Sequence, residues 1–134
     1  MLYPIAIEVG NKDHAYGIVV PDIKGCSSAG DTLDEAVKNV KEAIETNLEL
    51  LFEFGELPPI ASELSQLQAD EKYIGWVWAV VDIDIEPYMG KSSKINVTLP
   101  DLLKKRVDDK VKESNQYKDR SHFLQVAARN ELNK

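Results

Sequence analysis

Between Leu33 and Phe52 the apolar residues Leu33, Ala36, Val37, Val40, Ile44, Leu48, Leu51 and Phe52 recur at spacings of three and four. That spacing puts one unbroken apolar stripe on a helix of about six turns. A stripe of this length must be covered by another layer, so the chain around it has to supply one. Thr32 and Glu35 stand three apart at its start, as a capping box requires: the hydroxyl satisfies one free N–H and the carboxylate another. Gly55 ends the helix, and Pro58-Pro59 prevents its resumption.

The covering layer is legible as strands. Leu2 to Val9 and Ala15 to Val20 are rich in β-formers and form a hairpin around the turn cluster Gly10-Asn11-Lys12-Asp13. Pro21-Asp22 and Lys24-Gly25 break the chain, and Cys26 to Ala29 reads as a short third strand. After the helix, Ala61 to Gln68 reads as a second, short helix. Tyr73 to Ile85 is the strongest strand signal. Trp76, Trp78, Val80 and Asp82 alternate there with Val77, Ala79, Val81 and Ile83. Both faces are largely apolar, which predicts a strand covered on both sides in its middle. The order β-β-β-α-β is an α+β domain. It ends near the polar linker Gly90-Lys91-Ser92-Ser93, giving domains at 1–90 and 91–134.

Charge divides at the same place. Residues 1–90 hold 5 Lys/Arg against 17 Asp/Glu, a balance of −12, whereas residues 91–134 hold 11 against 6, a balance of +5. The whole chain, at −7, would repel nucleic acid, but its basic tail can hold a phosphate backbone. The acidic domain is left for a basic partner. One cysteine, Cys26, excludes an internal disulfide and fits a cytoplasmic protein. No signal peptide and no span of the roughly 20 apolar residues needed to cross a bilayer is visible.

The tail of about 40 residues is too short to bury an adequate core alone and predicts a core shared with a second copy. Lys94-Ile95-Asn96-Val97-Thr98-Leu99-Pro100 is a period-two strand: Ile95, Val97 and Leu99 share one face, and Lys94, Asn96 and Thr98 the other. Pairing with the same strand of another copy would satisfy its edge and seat both apolar faces on four helices. The polar face would then be a two-stranded ribbon of the size that enters the DNA major groove. Asn pairs with adenine, Lys reaches guanine, and Thr contacts base edges or a thymine methyl. Asp101 to Ser114 reads as a helix with Leu102, Leu103, Val107 and Val111 apolar. A last helix is capped by Asp119 and carries Phe123, Leu124, Ala127, Ala128 and Leu132. Its start at Arg120-Ser121 offers free N–H groups to phosphate.

The stretch from Lys94 to Pro100, with Arg120-Ser121-His122-Phe123-Leu124-Gln125-Val126-Ala127-Ala128, resembles the ribbon-helix-helix repressors. The resemblance implies base reading by Lys94, Asn96 and Thr98, and a phosphate clamp at Arg120 and Ser121. Glycine is missing from the interhelix turn, where Asn115, tolerant of the left-handed conformation, is the substitute.

Residues 3–57 carry a more specific pattern: Pro21-Asp22-Ile23-Lys24-Gly25-Cys26, then Gly30-Asp31-Thr32, then Glu35-Ala36. This resembles the HicB antitoxins, with Lys24 standing where that family usually has proline. The resemblance implies a partial ribonuclease-H-like fold for the first domain and a HicA toxin as partner. That toxin is a small basic ribonuclease with a double-stranded-RNA-binding-like fold and a catalytic histidine. It also implies a non-enzymatic antitoxin without cofactor or metal, which covers the toxin's active face and represses its own operon through operator DNA. A homodimer through the tail strand follows, and a tetramer by the same family analogy. Asp22, Asp31, Asp34 and Glu35 cluster around one loop and helix start and are the first candidates for toxin contact. Asp31 and Glu35 equally suit helix capping, and Asp22 a turn. Two other readings stay open: a stand-alone ribbon-helix-helix regulator, and a metal-dependent ribonuclease-H-like nuclease drawing on Glu8, Asp22, Asp31, Asp82 and Asp84. Those acids show no recognisable two-metal spacing.

Overall fold

The structure, a computed structural model, describes residues 1–134. Backbone contacts divide it into two compact units, Met1–Lys91 and Ser92–Lys134.

The first unit is a four-stranded antiparallel sheet with one long helix. Its strands are β1 (Leu2–Glu8), β2 (Tyr16–Val19), β3 (Ser27–Gly30) and β4 (Val77–Asp82), in the order β3-β2-β1-β4. The helix α1 spans Leu33–Glu53. The hydroxyl half of its capping box forms as the sequence predicts, with Thr32 Oγ1 accepting from Glu35 N at 3.1 Å, whereas the Glu35 carboxylate reaches past Thr32 to Asp31 N. Ala36, Val40, Ile44 and Leu48, each four apart, are fully buried against Tyr3, Ile5, Ile7, Ile18 and Val20. Two glycines make this packing possible. Gly30, buried in β3, lets the first turn of α1 lie against the sheet: a Cβ there would stand 2.5 Å from Ala36 N. Gly55, at φ +74°, takes the left-handed position that ends α1, and the next residue, Glu56, donates its N–H to Leu51 O at 2.8 Å.

The predicted strand Tyr73–Ile85 is shorter than its pattern. Glu71–Tyr73 is a single 3-10 turn, and the strand itself runs only from Val77 to Asp82. It is also not covered on both sides, because β4 is the edge strand remote from β2 and β3, on which α1 chiefly packs. Val77 and Val80 remain half exposed. Trp76 and Trp78 are half-buried, each meeting the ring of buried Tyr73 edge-on at 5.4 and 5.3 Å. The short helix predicted at Ala61–Gln68 is confined to α2, Leu64–Gln68.

The second unit contains α3 (Asp101–Glu113) and α4 (Arg120–Leu132). Asp119 caps α4, its Oδ1 accepting from His122 N at 2.8 Å. The predicted strand Lys94–Pro100 does not form within the chain: residues 91–100 are neither helix nor strand. A ladder needs a second strand, and the rest of this unit is helical. Asn115 is not left-handed either, since only glycines have positive φ. The turn is made by Ser114, whose Oγ accepts from Gln116 N at 3.1 Å. Val107 is the sole buried residue of the unit. Phe123 and Leu124 of the predicted α4 face are half-buried, but Ala127, Ala128 and Leu132 are exposed, because one α3 is too narrow to cover that face.

Candidate functional site

The four acids proposed around the α1 start have different surroundings. Both carboxylate oxygens of Asp22 are engaged within the chain: Oδ2 accepts from Ser62 N at 2.9 Å, and Oδ1 from Ser62 Oγ. Asp22 thereby pins the segment after Pro58-Pro59 to the loop after β2. Tyr3 Oη reinforces that segment by donating to Pro59 O at 2.7 Å. Glu35 Oε2 accepts from Asp31 N at 3.3 Å, so this carboxylate serves the cap. Asp31 and Asp34 are exposed. Asp34 and Glu35 lie in the first turn of α1, where negative charge favours the helix dipole.

At the other end of α1 the structure gathers, beside the candidate Asp22, further residues that the sequence reading did not single out. A cavity of about 340 Å³ is walled by Ile23, Leu50, Leu51, Phe54 and Pro59, with Asp22, Asn47 and the exposed Lys24 and Glu56 completing its lining. Phe54 is 76% exposed, and Leu50, Phe52 and Leu57 are about half exposed. The available signal was the absence of any Lys or Arg between Glu42 and Glu71, a stretch holding eight acids. On the opposite flank, Tyr88 packs near Glu45, Glu49 and Asp84. Desolvation and these carboxylates push its hydroxyl above the usual tyrosine range.

In the second unit Lys94, Asn96 and Thr98 are all exposed, as are Ile95 and Val97. Ser121 is exposed at the α4 start. Arg120 has a partner invisible in the sequence: its Nε and Nη2 fork onto Asp108 Oδ1 and Oδ2 at 2.9 and 2.8 Å, tying α4 to α3. The Arg120 hydrogen bond holds the Asp108 carboxyl below its ordinary range. His122 Nδ1 accepts from Lys118 N at 3.1 Å, closing the turn before α4.

No group of three or more His, Cys, Asp or Glu side chains gathers in a metal-holding arrangement. Cys26 is buried in the core, and burial pushes its thiol up. No helix is long and apolar enough to cross a membrane.

The model of the HicB-like antitoxins of bacterial toxin-antitoxin systems matches residues 3–128, through both units. The chain belongs to this HicB-like family. A relative is the uncharacterized 14.9 kDa protein of the rep-hol intergenic region of Haemophilus phage HP1, 44% identical over 132 residues and 98% of both chains. Among solved structures, the antitoxin HicB of Burkholderia pseudomallei is 37% identical, covers 96% of both chains and superposes with a TM-score of 0.71. The antitoxin HicB3 is 31% identical over 98% of this chain and 97% of its own, with a TM-score of 0.84. A HicB-like chain has also been solved in a HicA3 and HicB3 toxin-antitoxin complex, where 63% of this chain matches at 30% identity with a TM-score of 0.53. The fold is thus a mixed sheet-and-helix architecture shared with HicB antitoxins.

Proposed function

We propose that this chain is the antitoxin of a HicA/HicB toxin-antitoxin pair and a repressor of its own operon. The observation that carries the reading is the family match across both units, joined to a relative solved with its toxin. In this reading the acidic unit, residues 1–90, binds the basic HicA-type ribonuclease directly and occupies the place of its RNA phosphates. Opposite charge makes that encounter fast. The chain acts by binding and is not an enzyme.

The second unit, residues 91–134, is the DNA-binding half. With one buried residue and with Ile95, Val97, Leu102, Leu103 and Leu132 exposed, it has no adequate core of its own. A second copy supplies one: paired Lys94–Pro100 strands form the ribbon, and Ile95 and Val97 are covered by the helices. Lys94, Asn96 and Thr98 then face the major groove, with Ser121 and Arg120 toward phosphate. The Asp108 fork makes Arg120 chiefly a brace that aims the α4 start. A homodimer is the minimal assembly, and a tetramer follows if the acidic units also associate.

The test is a tagged pull-down from the native host, with mass spectrometry and a native mass of the eluate. A stoichiometric, small, basic ribonuclease is expected. A clean homo-oligomer that binds DNA without that partner would favour a stand-alone regulator. Magnesium-dependent RNA cleavage by the pure chain would favour a nuclease.

A further inference from the structure

The acids at the two ends of α1 have opposite relations to the fold. At the N-terminal end Asp34 and Glu35 stabilise the helix, and Glu35 completes its cap. At the C-terminal end the last turn has no basic residue, and Glu49, Glu53 and Glu56 crowd the negative pole of the dipole. That arrangement works against the helix, so the fold gives no reason for it. The same end holds the apolar cavity and displays Phe54, 76% exposed, beside half-exposed Leu50. The backbone of this turn is held, because Phe54 N donates to Leu50 O at 3.1 Å and the left-handed Gly55 closes the turn. Asp22 and Ser62 fix the opposite wall. A largely apolar groove with an exposed aromatic and an acidic rim is the anatomy of a protein docking site.

We propose that the C-terminal end of α1, centred on Phe54 and Leu50, is where the basic toxin docks. An apolar side chain of the toxin enters the cavity, and its Arg or Lys side chains lie over Phe54 and against Glu53 and Glu56. Charge complementarity selects this occupant. No cation lies between Glu42 and Glu71, and Lys24 is the one basic residue lining the groove. A second copy of the acidic unit would bring like charge to like. The inference rests on the antitoxin reading, and it moves the contact away from Asp31 and Asp34.

The experiment is calorimetric titration of the full chain with the small basic HicA-type protein recovered in the pull-down, inactivated at its catalytic histidine so that it can be purified. Phe54→Ala and Leu50→Ala should each weaken binding at least about tenfold. Both positions are substantially exposed, and unchanged melting curves would show that the fold is intact. Glu53→Gln with Glu56→Gln should weaken binding about three- to tenfold at low salt and converge on wild type at high salt. Asp31→Asn with Asp34→Asn should stay within about twofold. The docking site is wrong if the groove variants bind like wild type while the Asp31/Asp34 variant weakens. It is equally wrong if Phe54→Ala lowers the native mass and leaves toxin affinity unchanged, since a second copy then sits there. If the wild-type chain does not bind the toxin at all, the antitoxin reading itself fails and this inference falls with it.

Discussion

Replacing Gly30 by alanine should loosen the first unit through a single methyl group. The new Cβ would stand 2.5 Å from Ala36 N and 3.0 Å from Ala36 Cα and the Glu35 carbonyl carbon. These are backbone atoms of the first α1 turn, held by the Thr32 cap and by Ser28 Oγ donating to Ala36 O at 2.9 Å. No side chain can swing aside, so the helix start must lift off the sheet by nearly an ångström. Overpacking of this kind costs about 1–3 kcal/mol, the 2.5 Å approach to backbone placing it in the upper half of that range, and the stiffer unfolded chain returns about 0.4–1 kcal/mol, leaving a net loss of about 1–2.6 kcal/mol. Gly17 is the matched control. It too lies in a strand, but its added Cβ meets only Glu8 Cβ, at 3.9 Å. Gly17→Ala should therefore be neutral or stabilising by up to about 1 kcal/mol. The assay is urea unfolding followed by tryptophan fluorescence, which reports the first unit alone because both tryptophans, Trp76 and Trp78, lie there. A Gly30→Ala midpoint equal to wild type, or an equal loss for Gly17→Ala, would refute the close-approach argument.

Asn96→Ala should weaken operator binding by about 1–3 kcal/mol and leave toxin affinity unchanged, read by fluorescence anisotropy on each partner. Equal loss of both would mean that the two units do not act separately. Asp108 has a depressed folded pKa, so the Arg120 fork helps the second unit fully above the unfolded carboxylate value, near about 4, and is lost as pH falls through the folded value. The stability gap between wild type and Asp108→Asn, followed by circular dichroism at several pH values, should thus close in acid; a gap that ignores pH would sink the assignment. Burial and a raised pKa predict that Cys26 resists thiol reagents at neutral pH until the first unit unfolds. Rapid stoichiometric labelling of native protein would contradict that.

Short-range signals proved the most legible. Thr32 and Glu35, Gly55, Asp119 and the apolar row from Ala36 to Leu48 act through backbone groups within a few residues, and they stand where their spacing puts them. Signals that depend on distant neighbours were less readable. The alternation of Tyr73–Ile85 records two apolar faces, but not that the strand lies at the edge of the sheet. The alternation of Lys94–Pro100 needs another strand to become one. Asp22 meets Ser62 across 40 residues, and Arg120 meets Asp108 across 12; neither pairing has a local pattern. The groove beside Phe54 was hidden for the same reason. Its walls come from the loop after β2, the end of α1 and Pro59, three segments that only the folded chain assembles.

The open edge of β4 has a colloidal consequence. From Tyr73 to Val81 the chain carries no charge and no proline, so within β4 only the terminal Asp82 discourages another strand from pairing there. Long-range repulsion between first units of −12 each, in chains of net charge −7, opposes that pairing. That protection is ionic, and salt shortens its reach to about 10 Å at 0.1 M and about 3 Å at 1 M. Solutions of the free chain should scatter more light as salt rises, the reverse of a protein held apart by shape. A basic partner that neutralised the domain would weaken the same protection.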